Sequence, residues 1–203
     1  MADPSVSQSS LRLTSQQRRR WQQRFRQRLA GIPVAQWYCV SIDVGKYEHV
    51  GWLYDGQGEL LSGPYRFGIR AADYAEFFAW VAGQLPAEAH VLFGLEPTGH
   101  YYEQLAYEIV QRYGAEHLYL IQSTDVARRR AEWNQGSYKD DAVDGCVINE
   151  LLREGQGRPW QVVETPYRAL YHLERYQWAL EQASTRLKNQ IVGHVDRLYP
   201  GLV

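Results

Sequence analysis

Cysteine is scarce in this 203-residue chain: Cys39 and Cys146 are the only two, and neither sits in a CxxC pair or beside a histidine. That excludes a disulfide framework and a zinc knuckle, and both read as ordinary buried thiols of a reducing, cytoplasmic compartment. No apolar run approaches the roughly 18 residues that a membrane span needs, so no membrane partner is expected. Internal repeats are lacking. Acidic residues are nearly missing from residues 1–36, which carry Asp3 against seven arginines.

What is present is a globular composition, 45% hydrophobic and 22% charged, with enough apolar surface for one core and a soft expectation of one domain plus an appendage. Aromatics at 13% are too abundant for disorder over the whole length. The net charge of -1 conceals a basic start of +6 joined to a body of -7. A basic arm on an acidic body points to a polyanion for the arm and to a purpose for some of the body's carboxylates.

Residues 1–15 are Ser-rich and polar and are expected to be disordered. From Ser15 to about Ala30 a helix is expected, with Trp21, Phe25 and Leu29 as its apolar stripe and arginines over much of the remainder. An Arg-rich, acid-poor start also describes an organellar transit peptide, and a membrane-surface helix is a third reading that the narrow stripe disfavours. Nucleic-acid contact through Arg18, Arg19, Arg20, Arg24 and Arg28 is preferred, because guanidinium pairs bidentately with phosphate.

The ordered domain begins near Trp37. Strands are expected at 37–44, 49–54 and 59–67, the last two joined by turn chemistry at Asp55-Gly56-Gln57-Gly58. A helix over 72–84 follows, then a strand at 90–95, a helix over 101–113 stopped by Gly114, and a strand at 117–121. A helix over 139–153 precedes a loop at 155–159, and a long helix runs from Pro166 to about Leu198. Three antiparallel strands, then helix, strand, helix, strand, helix is the order of the ribonuclease H-like fold, a mixed five-stranded sheet with helices on both faces.

Four acids fall where that topology gathers them. Asp43 lies near the end of an otherwise apolar first strand, where a bare carboxylate is costly. Glu96 ends the fourth strand just before Pro97, and the two strands would be neighbours. Asp141 and Asp144 share one face at the start of the 139–153 helix by their i, i+3 spacing, with Asp140 a rival for the pairing. Acids in a first turn also serve as caps and dipole partners, the plainer explanation. Converging carboxylates raise one another's pKa unless a cation neutralises them, and oxygen-only ligands select hard metals, Mg²⁺ or Mn²⁺. Two such ions roughly 4 Å apart clamp the attacking and leaving oxygens in phosphodiester chemistry. His100, Tyr101 and Tyr102 are read as packing of the next helix's first turn.

At these residues the chain resembles a known family. Asp43-Val-Gly-Lys46, Glu96-Pro-Thr-Gly-His-Tyr101 and Lys139-Asp-Asp-Ala-Val-Asp144 are similar to the three motifs of DEDD transposases of insertion-sequence group 110/1111, over about residues 37–203. The resemblance implies an amino-terminal RuvC-like domain whose tetrad is Asp43, Glu96, Asp141 and Asp144, favouring Asp141 over Asp140. It implies two divalent ions, DNA as substrate, a structured bridge RNA as guide, and a bacterial or archaeal, nucleoid-associated setting. Lys46 and Lys139, inside the motifs, join the nucleic-acid contacts. The expected division is an arm (1–36), a catalytic domain (37–158) and a long helical segment (159–203).

The sequence departs from the family in several places. Gly145 replaces the usual Ala, Gln122-Ser123 stands where Asn-Pro is common, and the basic arm is longer. Family members continue into a second domain bearing a serine nucleophile, so a chain ending at Val203 is expected to bind metal and nucleic acid without completing strand exchange. Leu170, Leu173, Leu180, Leu187, Ile191, Val195 and Leu198 approach heptad spacing, which leaves homo-oligomerisation and packing on the chain's own domain both open. Two further functions compete: an RNA- or DNA-binding module without catalysis, and an actin-like or sugar-kinase-type ATPase reading Asp43-Val-Gly-Lys as a phosphate loop.

Overall fold

The computed structural model describes residues 15–133, 141–161 and 165–200, with the backbone alone at 141, 165–168 and 171–172. The expected disorder of the first residues, and the positions of Lys139 and Asp140, lie outside these. The described chain forms two compact units, one ending at Trp160 and the other beginning at Gln161.

The first unit opens with helix α1 (Ser15–Leu29), followed by strands β1 (Trp37–Val44), β2 (Glu48–Asp55) and β3 (Leu60–Gly68). Helix α2 (Ala71–Gly83), strand β4 (His90–Glu96), helix α3 (Tyr102–Tyr113) and strand β5 (Leu118–Leu120) come next. Helices α4 (Ser123–Trp133) and α5 (Asp141–Arg153) and a two-residue strand β6 (Arg158–Pro159) complete the unit. Helix α6 (Thr165–Leu198) forms most of the second.

The sheet runs β3-β2-β1-β4-β5-β6. β1, β2 and β3 pair antiparallel, β4 and β5 run parallel to β1, and β6 returns antiparallel to β5. The expected mixed sheet is there, but with six strands rather than five. The sixth lies in the segment read as a loop: Tyr119 pairs with Pro159 and Leu120 with Arg158, a ladder too short to leave a period in the sequence.

Strand alternation sorts the core onto two faces. Val40, Ile42, Val44, Phe93 and Leu95 meet Tyr74, Phe77, Phe78 and Val81 of α2 and Leu105 and Ile109 of α3. On the opposite face Cys39, Trp52, Leu92 and Tyr119 meet Phe25 of α1, Val126 of α4 and Val147, Ile148, Leu151 and Leu152 of α5. Gly94 of β4 lets α5 approach, since a Cβ there would stand 3.1 Å from Leu152 and 3.2 Å from Ile148.

The departure at Gly145 has a steric cause in the same face. A Cβ at Gly145 would stand 2.6 Å from the ring of buried Trp52, far inside van der Waals contact. Gly145→Ala should therefore lose about 1 kcal/mol net, the overpacking outweighing the ~1 kcal/mol of helix propensity that alanine brings. Urea unfolding of the two proteins measures this, and equal midpoints would remove the steric explanation.

Candidate functional site

The same alternation that buries Val40, Ile42 and Val44 toward α2 turns Asp43 toward α5. In β4 it does the same for Glu96, because Val91, Phe93 and Leu95 take the α2 side. The parallel ladder sets Asp43 directly opposite Glu96, both half-buried at the carboxyl ends of their strands. Helix α5 lies over this edge and brings Asp144, 2% exposed. Burial pushes the Glu96 carboxyl above its ordinary pKa, and the charges of Asp43 and Asp144 push it further. A hydrogen bond from the Ser123 hydroxyl and the charge of Arg130 oppose that rise.

Three of the four expected acids are thus brought together. Asp141 is the first residue of α5, one turn before Asp144, with only its backbone described. Lys46 is exposed in the β1–β2 hairpin, its Nζ 4.8 Å over the ring of Tyr47. Among the described residues no three His, Cys, Asp or Glu side chains are arranged to hold a metal ion. The cation against Asp144 is Arg130, which forms an ion pair with its Oδ1.

Arg130 and Ser123 both belong to α4, a helix that the sequence reading did not anticipate. Its segment is mostly polar, and Val126 is its one buried apolar side chain. What holds it is ion pairing. Arg129 reaches Glu150 of α5 at 2.6 Å and Glu154, just past the end of α5, at 2.8 Å. The one available sequence signal is the Ser123-to-Arg130 spacing of two helical turns, which puts both on one side of the helix.

Helix α1 forms as its apolar stripe predicts, and it docks on the body rather than standing free. Phe25 is buried edge-to-face on Tyr119, with ring centroids 5.3 Å apart. Two of the five arginines assigned to nucleic acid are used in this docking. Arg18 donates to both carboxylate oxygens of buried Asp125 at 3.1 and 2.9 Å. Arg28 donates to the Tyr119 hydroxyl and the Glu116 carbonyl, each at 2.8 Å. Arg19, Arg20 and Arg24, together with Arg26, are exposed on the outer side and have no ion-pair partner among the described residues.

Elsewhere the chemistry is plain. Tyr101 and Tyr102 pack on the core as expected, while His100 is exposed. Burial pushes the Cys39 thiol up to about 12, which leaves it inert, and Cys146 accepts a hydrogen bond from Tyr54 at 3.4 Å. Among the described residues no helix is long and apolar enough to cross a membrane.

No curated protein matches the chain. A family model described as a transposase, of the IS110 DEDD type, matches residues 40–200. That span runs from the middle of β1 to the end of α6 and contains all four candidate acids, covering well over half of the chain. A carboxylate pair set by strand register, a third acid over it, and a family match through every motif agree: the chain belongs to the IS110-type DEDD transposases.

Proposed function

We propose that Asp43, Glu96, Asp141 and Asp144 form the divalent-metal site of a DNA-cleaving transposase domain with RuvC-like, ribonuclease H-like architecture. The observation that carries this is Asp43 set beside Glu96 by the β1–β4 register with Asp144 above them. The donor set fits a hard cation: its described members are carboxylates, Asp144 Oδ1 is buried without a hydrogen bond, and Glu96 is under repulsion that a cation would relieve. A bound Mg²⁺ or Mn²⁺ would supply Lewis-acid activation of a phosphodiester. The chain's own residues do the rest. Ser123 orients Glu96, the buried wall of α5 fixes Asp144, and Lys46 stands at the same edge to meet a phosphate. A bridge RNA as guide, and self-association through α6, whose Leu173, Leu187 and Ile191 are 65%, 59% and 61% exposed, belong to the same proposal.

Calorimetry with Mn²⁺ tests it. Wild-type protein should show saturable binding that Asp43→Asn/Asp144→Asn loses. Equal heats from the two proteins would defeat the carboxylate site and leave nucleic-acid binding without catalysis as the reading.

That second reading has its own observation, the outer side of α1. Arg20→Glu/Arg24→Glu should weaken binding of duplex DNA or RNA by 10-fold or more at low salt, roughly two phosphate contacts' worth, and flatten the salt dependence by a slope of about 2. The same variant should unfold at the wild-type temperature, since neither side chain is paired among the described residues. Unchanged affinity and slope would remove α1 from the nucleic-acid interface.

A further inference from the structure

Two buried aspartates in the first unit are paired with arginine, and the pairs differ in kind. Asp125 is held by Arg18 through both oxygens at 3.1 and 2.9 Å and by Arg128 at 3.1 Å, so its charge and its lone pairs are satisfied. Among the described residues Asp144 has Arg130 alone. The two groups touch, yet among the described residues Oδ1 makes no hydrogen bond of ordinary geometry and Nε of Arg130 is buried with no acceptor. A buried ion pair with an orphaned donor is poorly compensated for the water both partners gave up. Among the described residues Arg130 is also the one cation that influences Glu96, set against the negative charges of Asp43 and Asp144.

We infer that Arg130 is the resident counter-ion of the carboxylate site and that a divalent metal must displace it. This rests on the metal-site reading above and adds its regulation. The Arg130–Asp144 pair and the metal compete for the same charge and the same oxygen, so metal affinity is set by the cost of moving one guanidinium. The rest of α4 is anchored independently, by Arg129 to Glu150 and Glu154 and by Asp125 to Arg18, so release needs only a rotation of the Arg130 side chain, which is 22% exposed. With Arg130 in place one of the negative charges is balanced and Asp144 is held against the guanidinium rather than drawn into a metal cage. With Arg130 released they repel until a cation enters. Ser123 keeps Glu96 oriented in both arrangements.

Mn²⁺ titration of the full 203-residue chain reads the competition directly. Arg130→Gln should bind Mn²⁺ at least ~10-fold more tightly than wild type, the effect of removing one unit charge close to the site at an effective dielectric near 20. Arg130→Lys, which keeps the charge, should bind nearer to wild type. Equal or weaker binding by Arg130→Gln, with wild-type binding still lost in Asp43→Asn, would overturn the counter-ion and leave the metal site standing. Absence of binding in every variant would overturn both. A measurement on wild type covers the case in which Arg130→Gln does not fold. Saturating Mg²⁺ should shift the Nε–Hε resonance of Arg130 and speed its exchange with water while those of Arg18 and Arg129 hold still. An Arg130 signal unmoved by Mg²⁺ under which other signals of the site shift would end the proposal.

Discussion

Replacing His49 with phenylalanine should stabilise the protein, and the gain should grow as the solution is acidified. His49 is fully buried in β2, stacked on Tyr74 at 6.1 Å and edge-on to Phe67 at 5.2 Å, and neither ring nitrogen has a hydrogen-bond partner among the described residues. Burial depresses its pKa from 6.5 to about 4. Between those values the unfolded chain holds the proton and the folded chain refuses it, so stability rises with pH across that window and is lost as pH falls through it. The wild type should therefore fall behind His49→Phe by a further ~3 kcal/mol on going from pH 7.5 to pH 4, from the size of the shift. At neutral pH the variant should be equal or better, because an aromatic ring of similar shape fills the site with no polar atoms to leave unmatched. Chemical unfolding at several pH values measures the difference. Parallel curves for the two proteins would mean that His49 finds a proton partner in the fold.

Phe25→Ala should cost ~3–5 kcal/mol, the usual loss for a buried phenylalanine, and lower the melting temperature by about 10 °C. Its ring fills the space between Tyr119 and Gly155, where a Cβ on the glycine would stand 2.8 Å away, so there is little slack to refill the hole. The contrast with Arg20→Glu/Arg24→Glu, placed on the other side of the same helix, separates docking from ligand contact. Deleting residues 1–36 would confound the two, since it removes Phe25 and Arg18 along with the exposed arginines. A Phe25→Ala protein as stable as wild type would show α1 to be undocked in solution.

The parts of the site that were legible in the sequence are those governed by period. The strand order set the first and fourth strands side by side, so Asp43 and Glu96 were expected to meet, and the i, i+3 spacing put Asp141 and Asp144 on one helical face. What could not be read depends on partners far away in the chain. The polarity of α4 hides a helix whose burial is achieved by Arg129, Asp125 and Arg130, each matched to a residue on another element. In α1 the stripe of Trp21, Phe25 and Leu29 declared an amphipathic helix, but a count of arginines could not divide Arg18 and Arg28, turned inward, from Arg19, Arg20 and Arg24, turned out. At Gly145 a departure from the family pattern was visible, and its cause, the ring of Trp52, was not.

The pairing of Asp43 with Glu96 also says when this centre comes into being. Asp144 leaves the ribosome about a hundred residues after Asp43, and the pair beneath it depends on a parallel ladder closed across an intervening hairpin and helix. Such long-range closures come late in folding. The carboxylates of a nascent or half-folded chain are separate acids, so Asp43, Glu96 and Asp144 cannot be brought together before the sheet is complete. Newly made chains hold these acids apart for as long as they are unfinished.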